Sequence, residues 1–230
     1  MIDSWLDPLR QTGGKKHTMA NRGRLFVISG PAGAGKTEIV RKLLEKYPDV
    51  KLSISCTTRA PRTGETDGVN YHFVSEERFQ ELIGEGAFYE WAHVHQNHYG
   101  TLKSTVQREL AEGHDLILEI DVQGCLQAMA QDPTVTGIFV CPPSRENLEK
   151  RLRNRGTETE ESIRVRLNNV AAEVATAYRY HYVIIHYDWS DVPNALEIAA
   201  DQIYAIITAR HRELESNRDF LDSLSASLAK

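Results

Sequence analysis

Apolar positions along this chain recur at two periods, and the switches between them mark out its elements. Arg24 to Ser29 (RLFVIS) is a β-branched and aromatic run ending at Gly30, the pattern of a buried strand. Beyond Gly30 to Thr37 (GPAGAGKT), the segment Glu38 to Tyr47 puts Ile39, Val40, Leu43 and Leu44 on one helical face. Arg41, Lys42, Glu45 and Lys46 fall largely elsewhere, and Pro48 stops the helix. Lys51 to Cys56 alternates as a strand, Thr57 to Asn70 is a loop rich in Gly, Pro and polar residues, and Tyr71 to Val74 is a short strand. Ser75 caps a helix reaching Ile83, Gly84 and Gly86 close it, and Ala87 to Val94 resumes an extended aromatic pattern.

Lys103 to Glu112 predicts a helix closed by Gly113, and Asp115 to Val122 (DLILEIDV) predicts a strand suited to the centre of a parallel sheet. Gly137 to Val140 is a shorter strand ending before Pro142. Ser144 caps a helix to Arg153 with Leu148 and Leu152 on one face, and Thr157 with Glu160 forms a capping box for a helix reaching Tyr180. Tyr182 to Ile185 is the last strand, and Asn194 to Ser216 an amphipathic closing helix. Strands alternate with helices, which predicts a doubly wound α/β fold, with Lys51 to Thr101 as an inserted strand-rich module.

Composition narrows the class. At 230 residues, 41% hydrophobic and 26% charged, the chain has the make-up of one compact α/β domain rather than a disordered or fibrous protein. No apolar run approaches the roughly 20 residues that span a bilayer. The 27 Lys and Arg against 32 Asp and Glu give a net charge of -5, which argues against a charge-driven nucleic-acid binder. Cys56, Cys125 and Cys141 are few, scattered and odd in number, so neither a disulfide framework nor a zinc knuckle is expected. With no secretory signal pattern, a reducing cytoplasm fits best. Residues 1–20 are expected to form a disordered extension, with Met19 a candidate native start.

Gly30, Gly35, Lys36 and Thr37 satisfy G-x-x-x-x-G-K-[ST] between a predicted strand and a predicted helix, the context that makes this phosphate-loop motif specific. In the loop Gly30, Pro31, Ala32, Gly33, Ala34 and Gly35, backbone N–H groups, which every residue but Pro31 carries, can then converge on the phosphates of a nucleoside triphosphate; the following helix adds its positive end, and Lys36 bridges the β and γ phosphates. Thr37 supplies a hydroxyl to Mg²⁺, and Glu119 or Asp121, two apart at the end of the predicted strand, can hold that ion through water. The motif specifies a nucleoside triphosphate and leaves the acceptor open.

The acceptor is suggested by Ser53 to Arg62 (SISCTTRAPR), Glu90 to Ala92 (EWA), Tyr99 to Thr101 (YGT), Glu119 to Gly124 (EIDVQG) and Arg155 to Ser162 (RGTETEES). Together and in this order, from Arg24 to the C-terminal helix, they resemble guanylate kinases. The resemblance implies transfer from ATP to GMP or dGMP on a P-loop NTPase core (21–52, 102–143 and 178–230) with a GMP-binding module (53–101) and a mobile lid (144–177). It further implies that Arg59 and Arg62, with Tyr71 and Tyr99, clamp the GMP phosphate, and that Ser55, Thr101 and Asp121 contact the guanine. Arg59 and Arg62 each offer a forked guanidinium, and Pro61 stiffens the loop between them. A carboxylate at Glu90 can accept from both N1–H and the N2 amino group of guanine, an arrangement adenine does not offer. By the same resemblance Arg151, Arg155 and Arg166 close over the triphosphate.

The chain departs from the family pattern at three places. Ala32 replaces a common serine, Glu119 stands where Asp is usual, and His186 stands where an asparagine near the adenine is expected. His93, His95 and His98 suggest a metal, but no Cys or clear fourth ligand accompanies them, so a part in shaping the GMP module is the better reading. Two other readings stay open: a phosphopeptide-binding module on the same fold, which predicts a degraded phosphate loop, and a kinase for a ribose bisphosphate, which needs no guanine reader. A homo-oligomer also stays open, since the C-terminal helix can pack on the core or on a second subunit.

Overall fold

The computed structural model describes residues 23–94, 96–154, 160–188 and 190–228. The chain runs through β1 (Leu25–Ser29), α1 (Lys36–Lys46), β2 (Val50–Leu52), β3 (Cys56–Thr57), β4 (His72–Phe73) and α2 (Glu76–Gly84). It continues through β5 (Phe88–Val94), β6 (Asn97–Leu102), α3 (Lys103–Ala111), β7 (Asp115–Glu119), α4 (Val122–Gln131) and β8 (Thr136–Cys141). Then come α5 (Arg145–Asn154), α6 (Glu160–Ala175), a 3₁₀ turn at Thr176–Arg179, β9 (Tyr182–Ile185), α7 (Ala195–Arg210) and α8 (Arg218–Leu228).

Five strands form a parallel sheet of order β2-β7-β1-β8-β9. The period-2 pattern of β1 explains its central place. Phe26 and Ile28 pack on one face against Ile39, Val40 and Leu43 of α1 and Ile203 of α7. Leu25 and Val27 pack on the other against Val106 of α3 and Cys125 and Ala128 of α4. A strand buried on both faces needs a continuous apolar run, which LFVIS supplies. A second sheet, β4-β3-β6-β5, closes over its own small core of Cys56, Phe79 and Phe88, the two phenylalanine rings stacked at 4.5 Å. The α5–α6 pair has a third core, in which Leu148 and Leu152 meet Ile163 and Leu167.

Four sequence expectations need correction. Lys51 to Cys56 is not one strand: Val50–Leu52 pairs with β7 in the parallel sheet, while Cys56–Thr57 belongs to the second sheet. Val50 and Cys56 are buried in different cores, and between them burial departs from the apolar–polar alternation: Leu52 is exposed while Ser53 and Ser55 are buried. Second, the run from Asp115 leaves the sheet after Glu119. Asp121 N-caps α4, accepting from the N–H groups of Gln123 at 2.6 Å and Gly124 at 3.1 Å, so Val122 is helical. Third, the helix expected to reach Tyr180 ends at Ala175 and tightens into the 3₁₀ turn. Its Thr157 lies outside the described residues, as do 1–20, His95 and Arg155. Fourth, the closing helix ends at Arg210, and a separate α8 follows. Among the described residues no helix is long and apolar enough to cross a membrane, and all three cysteines are free thiols.

Candidate active site

Between the C-terminal ends of β1 and β7, the second sheet and α6 lies one cavity of about 530 Å³. At its floor is the β1–α1 loop. Gly30, Gly33 and Gly35 all have positive φ, and a Cβ on Gly30 would collide with the Val140 carbonyl, so the loop can be built only with glycine there. Lys36 lies back along the loop, its Nζ donating to the carbonyls of Gly30 at 2.7 Å and Pro31 at 3.0 Å. Thr37 Oγ1 donates to Glu119 Oε1 at 2.6 Å, bringing together the two groups expected to serve a metal. Burial pushes the Glu119 carboxyl above its ordinary value, and the Thr37 hydroxyl and Lys36 charge oppose that shift.

On the opposite wall the β5–β6 hairpin pairs Glu90 with Thr101 directly across the ladder. Thr101 Oγ1 donates to Glu90 Oε1 at 2.6 Å and lies 3.4 Å from Ser55 Oγ, so three expected base-contacting residues form one buried polar cluster. Glu90 is 3% exposed. Burial pushes its carboxyl up to about 7; the Thr101 hydroxyl opposes this and the charge of Asp121 adds to it. Gly124, in the first turn of α4, faces Glu90 Oε2 so closely that a Cβ would collide with it.

The phosphate-clamp candidates converge on the same space. Arg59, Arg62, Tyr71 and Tyr99 all line the cavity. The Arg59 guanidinium lies over the rings of Tyr71 at 5.4 Å and Phe73 at 5.8 Å and donates to Glu65 Oε1 at 2.8 Å. Glu65 Oε2 accepts the backbone N–H of Arg62 at 2.7 Å, so one carboxylate holds both arginine positions. Sequence reasoning missed Glu65, because an acid in a Gly-rich loop is usually solvated surface. It also missed Gly124, since a helical glycine facing a carboxylate leaves no local signal. The Asp121 cap was missed as well, because the apolar run from Asp115 to Val122 reads as a strand passing straight through it.

From α6, Arg166, Asn169, Val170 and Glu173 line the cavity at helical spacing. Arg151 is elsewhere. It is not among the lining residues and instead ties the phosphate loop to the end of β9. Its Nη1 donates to Ala34 O at 3.1 Å, Nη2 to His186 O at 2.8 Å and Nε to Asp188 Oδ1 at 2.6 Å. The His93 and His98 rings lie 4.7 Å apart, tilted at 48°, and His98 Nδ1 lies 3.0 Å from Glu76 Oε2, which places them in the packing of the second sheet.

Residues 22–203 match the family model described as guanylate kinase. A guanylate kinase of Caldanaerobacter subterraneus is 46% identical over 202 residues, covering 88% of this chain and 95% of the relative. One from Syntrophotalea carbinolica is 49% identical over 179 residues, covering 78% and 84%. Among solved structures, guanylate kinase from Anaplasma phagocytophilum superposes with a TM-score of 0.67 at 32% identity, covering 84% of this chain and 88% of that one. A match over most of the chain, on a fold whose cavity joins a phosphate loop to a buried carboxylate, means that this chain belongs to the guanylate kinase family.

Proposed function

We propose that this chain transfers the γ-phosphoryl group of ATP to GMP, and to dGMP, giving ADP and the nucleoside diphosphate, in a reducing cytoplasmic compartment. The observation that carries the reading is the Glu90–Thr101–Ser55 cluster, a buried acceptor set on the wall of the cavity whose floor is Lys36 and Thr37. Ionised Glu90 accepts from guanine N1–H and N2–H, with Ser55, Thr101 and Asp121 beside it, and AMP offers this buried carboxylate neither of those two donors. Arg59, Arg62, Tyr71 and Tyr99 take the acceptor phosphate. The second pKa of that phosphate is about 6, so it arrives largely ionised and the nucleophile needs no general base.

On the donor side the Gly30–Thr37 backbone and the N-terminus of α1 receive the triphosphate, and Lys36 leaves its loop carbonyls for the β and γ oxygens. Arg166 reaches the transferring group from α6; Arg155, given the same role by the family resemblance, lies outside the described residues. Arg151 acts through the loop it holds. The second sheet and the α5–α6 pair, each with a core of its own, serve as GMP module and lid around the parallel-sheet core. Thr37 Oγ1 and the Glu119 carboxylate are hard oxygen donors of the kind that suits Mg²⁺, and Glu119 is held where a cation would offset its burial. Bound there, Mg²⁺ would neutralise charge on the β and γ oxygens.

The test is ADP formation with ATP and Mg²⁺ against GMP, dGMP, AMP, CMP, UMP and ribose 1,5-bisphosphate. Turnover confined to GMP and dGMP is expected. Turnover with the sugar phosphate, or none with any acceptor, would overturn the reading.

A further inference from the structure

We infer that His186 is a positioning residue for the donor side of the site, acting by fixing one peptide plane of the phosphate loop. The inference rests on the ATP-binding part of the function proposed above. His186 follows β9, and its N–H donates to Cys141 O at 2.9 Å, which keeps it in register with β8. Its ring turns toward the β1–α1 loop, with Nδ1 2.9 Å from Ala34 O. A carbonyl only accepts, so Nδ1 carries the proton and the ring donates. Gly35 lies directly under that ring, and a Cβ there would collide with Nδ1. Arg151 Nη1 donates to the same Ala34 oxygen at 3.1 Å, while Asn147 Nδ2 donates at 2.8 Å to the Asp188 carboxylate that holds Arg151.

The consequence follows from peptide geometry. Ala34 C=O and Gly35 N–H belong to one trans peptide and point in opposite directions. Gly35 has φ +90 and no side chain to hinder rotation, so its conformation has to be held from outside. Two side-chain donors on Ala34 O hold it, and they aim the Gly35 N–H away from His186. Burial lowers the His186 pKa, with the Arg151 charge adding to that, which favours the neutral Nδ1–H ring.

The experiment compares His186→Leu, which keeps bulk but no donor, with His186→Asn, whose Nδ2 stands as many bonds from the backbone as histidine Nδ1. Affinity for a non-hydrolysable ATP analogue and for GMP is measured separately by calorimetry, with KM for each substrate alongside. Expected is a fivefold or larger loss of ATP-analogue affinity in His186→Leu, recovery to within twofold in His186→Asn, and GMP affinity unchanged in both. ATP-analogue affinity at the wild-type level in His186→Leu would overturn the inference. So would equal losses for both ligands that asparagine does not rescue, since that is the mark of general packing. If wild-type protein bound the analogue with this pattern but turned over no GMP, the acceptor reading would fail and this inference would stand.

Discussion

A buried carboxylate that must be ionised to read guanine makes acceptor binding depend on pH. Burial pushes the Glu90 carboxyl up to about 7, so the apparent dissociation constant for GMP scales inversely with the ionised fraction. It is raised about elevenfold at pH 6 and only about 1.1-fold at pH 8, a net change of roughly tenfold. The GMP phosphate, with a second pKa of about 6, adds a further factor of about two over the same range. Glu90→Gln removes the first factor and keeps the second. Calorimetry of GMP binding from pH 6 to 8 at constant ionic strength should therefore give a steep profile for the wild type and a shallow one for Glu90→Gln. At pH 7, comparing buffers of different ionisation enthalpy, the wild type should release about half a proton per GMP and the variant far less. Identical pH profiles for the two proteins would refute the reasoning, because the titrating group would then not be Glu90.

Other consequences follow from the same contacts. The Glu90 carboxyl is raised in the native state, so it costs nothing below about pH 4.5, where both native and unfolded states are protonated, and costs most above pH 7. Glu90→Gln should therefore unfold at higher urea than wild type at pH 8, by up to about 3 kcal/mol, the difference shrinking as pH falls. Gly124→Ala raises helix propensity by about 1 kcal/mol but puts a methyl against Glu90 Oε2. The melting temperature should hold while KM for GMP rises tenfold or more, and an unchanged KM would show that the carboxylate has room to move. Leu148→Ala, at a fully buried site shared with Leu152, Ile163 and Leu167, should cost about 2–5 kcal/mol in chemical denaturation. Lys36→Met should abolish ADP formation yet leave calorimetric GMP affinity near wild type; turnover near the wild-type rate would contradict the role given to the phosphate loop.

Much of this molecule was legible residue by residue. LFVIS before GPAGAGKT specifies a buried strand feeding a glycine loop, because burial on both faces demands an unbroken apolar run and the loop demands positive φ. The caps at Ser75 and Ser144 are local hydrogen bonds between near neighbours, and both formed as the pattern predicts. The pairing of Thr37 with Glu119, and of Glu90 with Thr101 and Ser55, brings together groups the sequence could nominate one at a time.

Other features were decided by tertiary structure, for a common reason. Alternation records a local order of residue types but not which sheet each end joins, so Lys51 to Cys56 reads as one strand although it crosses between two sheets. Gly124 must be glycine because a carboxylate from a distant hairpin lies against it, and Glu65 matters because the fold of its loop turns it back onto Arg59 and Arg62. Arg151 reads in sequence as one more basic position on a lid helix, yet packing of α5 against the end of β9 turns it onto Ala34, His186 and Asp188. Local sequence determines which elements form and which faces they bury. Which buried groups meet depends on contacts between residues far apart along the chain, and only the packed sheets and helices bring those together.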